Sequence, residues 1–278
     1  MTRKQNAPRM GRISFLNVLP IYHPLETGVI PHPYQLVAAP PAILNEMMSR
    51  GDLQVSSCSC FEYARRPERY YLVSDLAIGS IGPVMSVLLM SRRPVEDLDG
   101  ATILISGESH TSVALLRLLL KNYYGINSTF ATGYVTPALH SANPPEAFLA
   151  IGDEALRLRD YYPYRVDLAE AWREWTGKPF VFGLWVISAD AVSQGLLPDD
   201  PGELLRRGRD WGLSRLDAII DLTSYACPLT KEELRIYYTR GLTYNLGETE
   251  LDGLRLFYEK LADAGIIREA PRLRFYGD

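Results

Sequence analysis

Two long apolar runs constrain this chain more than any other feature: Val84 to Ser91 and Phe180 to Ser188. Each is uncharged and of a length that suits a strand buried on both faces. Between them lies a self-contained alternation of strand and helix. Strands are predicted at Thr102–Ile105, near Phe130, at Phe148–Ile151 and at Arg165–Leu168, and helices at Thr111–Tyr123, from Asp153, and at Ala169–Trp175. A chain with this order leaves one α/β unit, builds a second and returns. The expected architecture is therefore α/β and two-lobed, with the apolar runs as hinge strands between the lobes. The expected division is 10–91 plus 189–278 for a discontinuous first lobe, and 92–188 for an inserted second lobe.

The first lobe has the same rhythm. Arg12–Phe15 reads as a strand closed by Asn17, Leu19–Glu26 as a short helix, and Tyr34–Ala38 as a second strand. Pro40-Pro41 opens the helix Ala42–Ser49 and Gly51 stops it, the usual placing of proline and glycine at helix ends. Leu53–Ser57 is a third strand. Residues 1–9 read as a disordered tail. After Ala189 the pattern turns helical. Pro201–Thr223 has helical spacing, though Gly208 and Gly212 should each weaken it by ~1 kcal/mol relative to Ala. Thr230 with Glu233 three residues on predicts a capping box, and Glu248–Ala264 is a last helix ended by Gly265.

Composition narrows the function classes. Of 278 residues, 47% are hydrophobic and 22% charged, enough apolar material for a sizeable core. A formal net charge of −4 argues against a nucleic-acid binder, which usually carries a basic surplus. No run approaches the ~18–20 apolar residues of a membrane span. The first ten residues carry no apolar h-region, so a cytoplasmic location is expected. Cys58, Cys60 and Cys227 are too few for a disulfide framework, and Cys58-Ser-Cys60 lacks the second pair or the nearby His that would complete a metal site. Neither a P-loop nor a G-x-G-x-x-G motif is present, and no G-x-S-x-G elbow.

Open α/β sheets bind ligands beyond the carboxyl ends of their strands. That rule selects Asn17 after the first strand, Ser57 and its neighbours after the third, the Ser106–Ser112 stretch, and Gly152-Asp153. Ser109, Thr111 and Ser112 are the most informative. Hydroxyls and unpaired N–H groups gather there at a helix N-terminus, which favours a carboxylate or similar anion. Capping alone would need only one hydroxyl. Asp153 reads either as a base or as a cap of its own helix. The expected ligand is a small anion held between the lobes.

Five segments together resemble one family. They are Ile13-Ser-Phe-Leu-Asn-Val-Leu-Pro20, Gly82-Pro-Val-Met-Ser-Val-Leu-Leu89, Ser109-His-Thr-Ser112, Ile151-Gly-Asp-Glu-Ala-Leu156, and Trp175-Thr-Gly-Lys-Pro-Phe-Val-Phe182 with Trp185. In this order, over about 11–270, they are similar to the chorismate dehydratases of the futalosine route to menaquinone. The resemblance implies a type II periplasmic-binding-protein-like fold used by a cytoplasmic enzyme without a cofactor. Its substrate would be the dianion chorismate, dehydrated to 3-[(1-carboxyvinyl)oxy]benzoate. It further implies Asn17 and Ser86 as catalytic residues, and Ser57, Ser109, Thr111, Ser112 and Asp153 as substrate-binding ones. Oligomeric state stays open between monomer and homodimer. In the sister enzymes that make 1,4-dihydroxy-6-naphthoate, the general base is the His of an Ile-His-Glu motif. Ile151-Gly152-Asp153 departs from that motif. The third reading is a non-catalytic cytoplasmic sensor of the same fold.

Overall fold

In the computed structural model, which describes residues 7–107, 109–224 and 227–277, two five-stranded sheets follow one plan. Strands β1 (Arg9–Ile13), β2 (Gln35–Ala39), β3 (Val55–Ser59) and β4 (Tyr70–Ser80) come first. Strands β5 (Val87–Ser91), β6 (Thr102–Ile105), β7 (Thr129–Thr132), β8 (Ala147–Ile151) and β9 (Tyr164–Asp167) follow, and β10 (Phe180–Ser188) is last. The first sheet has the order β2-β1-β3-β10-β4 and the second β7-β6-β8-β5-β9. β1 is parallel to β2 and β3, whereas β10 is antiparallel to β3 and β4. The second sheet repeats this: β6 is parallel to β7 and β8, and β5 antiparallel to β8 and β9. The two-lobed α/β reading is thereby confirmed.

The division at 91 and 188 is corrected. Each crossing strand belongs to the sheet it enters, not the one it leaves: Val87–Ser91 sits inside the second sheet and Phe180–Ser188 inside the first. Every residue of β5 is buried, with Leu88 and Met90 facing one core cluster and Val87 and Leu89 the other. A strand apolar on both faces suits the interior of a sheet, and β5 lies between β8 and β9 and β10 between β3 and β4. Val84–Ser86 is not strand. Met85 has φ +65°, a conformation that costs a non-glycine residue on the order of 1 kcal/mol.

Helices fill the connections. The first part of the chain carries α1 (Leu19–Glu26), α2 (Pro41–Arg50) and α3 (Cys60–Arg65). The second sheet is flanked by α4 (His110–Leu118), α5 (Val135–Leu139), α6 (Gly152–Leu158) and α7 (Leu168–Thr176). After β10 come α8 (Ala189–Ser193), α9 (Pro201–Ser214), α10 (Leu216–Ser224), α11 (Lys231–Ile236) and α12 (Glu248–Asp263). The expected single helix over 201–223 is two, broken at Arg215 (φ −125°, ψ 35°). The predicted capping box of Thr230 and Glu233 is present. Of the expected tail, residues 1–6 lie outside the described residues, and Arg9 already belongs to β1. The helices after β10 tie the lobes together. Phe257 of α12 packs edge-on against Trp172 of α7 and Phe180 of β10, with ring centroids 5.9 and 4.9 Å apart. No helix of the described residues is long and apolar enough to cross a membrane.

Candidate functional site

The carboxyl ends of β1, β3, β6 and β8 face one another across a pocket of about 700 Å³, its open mouth included. Six of the seven candidate residues line it: Asn17, Ser57, Ser86, Ser109, Thr111 and Ser112. Phe182, Gly183, Leu184 and Trp185 supply an apolar wall from β10. Among the described residues, none that lines it is Asp, Glu, Lys or Arg.

Asn17 sits in the single turn Leu16–Val18 that follows β1. Its Oδ1 is buried and has no hydrogen-bond partner. A buried amide oxygen costs about 1–3 kcal/mol unless a water or ligand donates to it. The turn itself is firmly held. Asp153 accepts from the Leu16 N–H at 3.1 Å, Tyr238 donates to the Leu16 carbonyl at 3.0 Å, and Tyr244 donates to the Asn17 carbonyl at 2.8 Å.

Ser86 enters from the crossing between the sheets. Asp167, the N-cap of α7, accepts from the N–H groups of Val84 (3.1 Å) and Met85 (2.6 Å), and also from Ala169 and Glu170. Those four bonds pin the strained backbone just before Ser86. Burial pushes the Asp167 carboxyl up to about 6, against the pull of the four N–H groups. The Ser86 carbonyl accepts from the Gly152 N–H at 2.7 Å. The Ser86 hydroxyl accepts from the Tyr237 phenol at 3.1 Å, and its own hydrogen has only a long 3.4 Å contact to the Val84 carbonyl.

At the α4 start, three of the hydroxyls that the sequence singles out gather on the pocket wall. Ser109 is the N-cap residue but makes no side-chain cap bond, and the first-turn N–H groups of a helix have no intrahelical acceptors. Ser112 is buried on the same turn. The other hydroxyls are already engaged. Thr111 Oγ1 accepts from the Phe61 N–H at 3.2 Å, which joins α4 to α3 across the cleft. Ser57 Oγ accepts from the Ile13 N–H at 3.2 Å and so ties β3 to β1. Asp153 does not line the pocket and makes no cap bond to α6; it reaches the opposite lobe instead. Burial raises its carboxyl above the ordinary range. Cys58 and Cys60 are buried, their thiols turned to Asn45 Oδ1 and the Val181 carbonyl, and burial drives both thiol pKa values up.

Sequence reasoning missed His110, Asp167 and the three tyrosines 237, 238 and 244. His110 lines the pocket with its Nδ1 buried and unpaired, and burial holds the imidazole below its usual range. One compositional signal pointed at the tyrosines. The chain has 17 Tyr against 8 Phe, an excess of phenols that must find partners when buried.

Comparison with known proteins agrees with this geometry. A protein of Archaeoglobus fulgidus superposes with a TM-score of 0.76 at 18% identity, covering 95% of this chain and all of that one. The periplasmic aliphatic sulphonate binding protein of Escherichia coli gives 0.65 at 13% identity, covering 97% and 91%. The fold is thus that of the periplasmic binding proteins. In sequence, the chorismate dehydratase of Thermus thermophilus is 28% identical over 91% of this chain and 94% of its own length. The 1,4-dihydroxy-6-naphtoate synthase of the same organism is 26% identical over 97% and 99%. Residues 8–263 match the menaquinone biosynthesis family, and the chain belongs to that family.

Proposed function

We propose that this protein is a chorismate dehydratase, a cytoplasmic lyase that needs no cofactor. One observation carries the reading: among the described residues the pocket walls offer neutral donors and acceptors, no acidic or basic side chain besides the His110 imidazole, and an amide oxygen, Asn17 Oδ1, buried without a protein partner. Such a site is poorly equipped to pull a proton from carbon by itself. It suits a substrate that brings its own base. Chorismate does: its ring C–H is acidified through the diene by the ring carboxylate, and its enolpyruvyl carboxylate lies within reach of that proton. The similarity to the Thermus chorismate dehydratase supports the same substrate.

The step follows from these parts. The enolpyruvyl carboxylate takes the ring proton, the C–O bond to the ring hydroxyl breaks, and the electron pair of the C–H bond completes the aromatic ring. The departing hydroxide takes up the proton that the enolpyruvyl carboxylate accepted and leaves as water. Asn17 Oδ1 accepts from the ring hydroxyl, and the Ser86 hydroxyl donates to the same oxygen as negative charge grows on it. Ser109, Ser112 and the first turn of α4 hold a carboxylate. Thr111, Ser57 and Asp153 keep the walls in register. The protein's contribution is a fixed pose and preorganised dipoles rather than a strong base.

The test is incubation of purified protein with chorismate, without added metal or nucleotide, followed by chromatography and mass measurement. The expected product is the enolpyruvyl ether of 3-hydroxybenzoate, lighter than chorismate by one water. Tight chorismate binding without product would replace the reading with a sensor. Turnover to 1,4-dihydroxy-6-naphthoate from that enzyme's own substrate, with none from chorismate, would replace it with the sister reaction.

A further inference from the structure

We propose that Tyr237 is the positioning residue that aims the Ser86 hydroxyl at the departing oxygen. This rests on the dehydratase reading and deepens it. Tyr237 is fully buried and begins the wide turn Tyr237–Gly241 that follows α11; such π-type turns recur at functional sites. Its phenol donates to Ser86 Oγ at 3.1 Å, its one hydrogen bond to a residue of the pocket. A serine oxygen that accepts from a phenol has its own hydrogen directed elsewhere. Among the described residues the protein offers that hydrogen only the Val84 carbonyl at 3.4 Å, a contact near the limit of what counts as a hydrogen bond. Turning it onto a substrate oxygen therefore costs little, and Tyr237 remains as the donor that makes Ser86 a better donor in turn.

Tyr237 does not itself supply a proton. Its full burial pushes the phenol far above its ordinary range, so the neutral form persists and the group acts as a fixed dipole. Nor is it alone. The same stretch of chain sends Tyr238 and Tyr244 to the carbonyls of Leu16 and Asn17, on either side of the Asn17 Cα. One segment, 237–244, thus sets the geometry of both groups that flank the reacting C–O bond. Its turn also packs on the crossing: a Cβ on Gly241 would lie 3.4 Å from both Met85 Sδ and the Val84 carbonyl.

Steady-state kinetics on Tyr237→Phe tests this, because the ring and its packing stay while the hydrogen bond goes. Loss of one hydrogen bond in the transition state predicts a kcat about 10-fold lower with KM changed less than about 2-fold. In a Ser86→Ala background the same change should do nothing further, since Tyr237 acts only through Ser86. Wild-type kcat in Tyr237→Phe, or an equal loss in both backgrounds, would overturn the proposal while the reaction assignment stood. A wild-type protein that forms no aromatic product would end both. Thermal unfolding of each variant, with an unchanged midpoint, separates lost positioning from lost folding.

Discussion

Asn17 and Ser86 approach the same substrate oxygen with opposite hydrogen-bonding character, and this decides how each should fail. Asn17 brings an acceptor already desolvated and unpaired in the empty pocket; removing it relieves a cost in the free protein as well as a contact in the complex. Ser86 brings a donor whose value grows only as charge develops. Ser86→Ala should therefore lower kcat by about 10²-fold, the scale of losing one donor to a developing oxyanion. Asn17→Ala should act mainly through KM, with a smaller fall in kcat. Rates at saturating and limiting chorismate separate the two, and near-normal turnover in both variants would remove the pair from the mechanism. Asn17 was legible because its signal is local, an Asn at a strand end; Ser86 lies inside an apolar run and was singled out only by the resemblance of the Gly82–Leu89 segment. The tyrosines that hold them were not legible. The Tyr237–Ser86, Tyr238–Leu16 and Tyr244–Asn17 bonds span 151, 222 and 227 residues, and no pattern along the chain encodes such a meeting. Asp153 shows the same limit. Its place at a helix start suggested a cap or a ligand contact, yet its partner is the Leu16 N–H on the other lobe.

Elements were legible where periodicity was unbroken and obscure where packing overrode it. The βα alternation before residue 60 and the capping box of α11 were plain in the residues. β4 was passed over because Ser74 and Asp75 interrupt its apolar run; Asp75 has φ +55°, and the register with β10 slips around it. In α9, glycines that look like weak points are contact points. A Cβ on Gly208 would stand 2.4 Å from the Ile21 carbonyl oxygen, and one on Gly212 2.0 Å from that of Pro20. These two residues, one turn apart, let α9 lie against the backbone of α1, the helix that follows the Asn17 turn. Helix propensity alone would have Gly212→Ala stabilise α9 by ~1 kcal/mol. The clash is with backbone that cannot swing aside, and overpacking of this kind costs about 1–3 kcal/mol. The expected net result is a lower denaturation midpoint in urea, by up to about 2 kcal/mol after the propensity gain is subtracted. A midpoint raised above wild type would show that α9 can slide and that the close approach does not hold α1 in place.

Across the whole molecule, the two sheets meet through a small number of directional contacts over the cleft. Phe61 N–H donates to Thr111, Leu16 N–H donates to Asp153, and Arg159 pairs with Glu233 at 2.6 Å. The ion pair is partly exposed and screened by solvent, so it contributes little. Phe15 lies against Gly152, where φ is +55° and a Cβ would come within 2.9 Å of the ring, so only glycine allows the lobes to approach there. The Asp153 bond is the strongest of the set, because a hydrogen bond to a charged acceptor contributes about 1.5–3 kcal/mol. It also ends on the turn that carries Asn17. Substrate must enter a pocket walled by both lobes, so the closed arrangement has to be favourable enough to hold the pose and weak enough to open. Asp153→Ala removes at least about 1.4 kcal/mol from the closed side, which shifts the closed-to-open ratio tenfold or more. The expected signature is a larger radius of gyration in small-angle scattering without ligand, a return to the wild-type value with saturating chorismate, and a raised KM. Asp153→Asn keeps an oxygen that can accept from Leu16 but loses the charge, and should fall between wild type and Asp153→Ala on all three. Identical scattering and KM for Asp153→Ala would mean that the crossing strands and α12 alone hold the lobes together, leaving the Asp153 contact a consequence of closure rather than one of its causes.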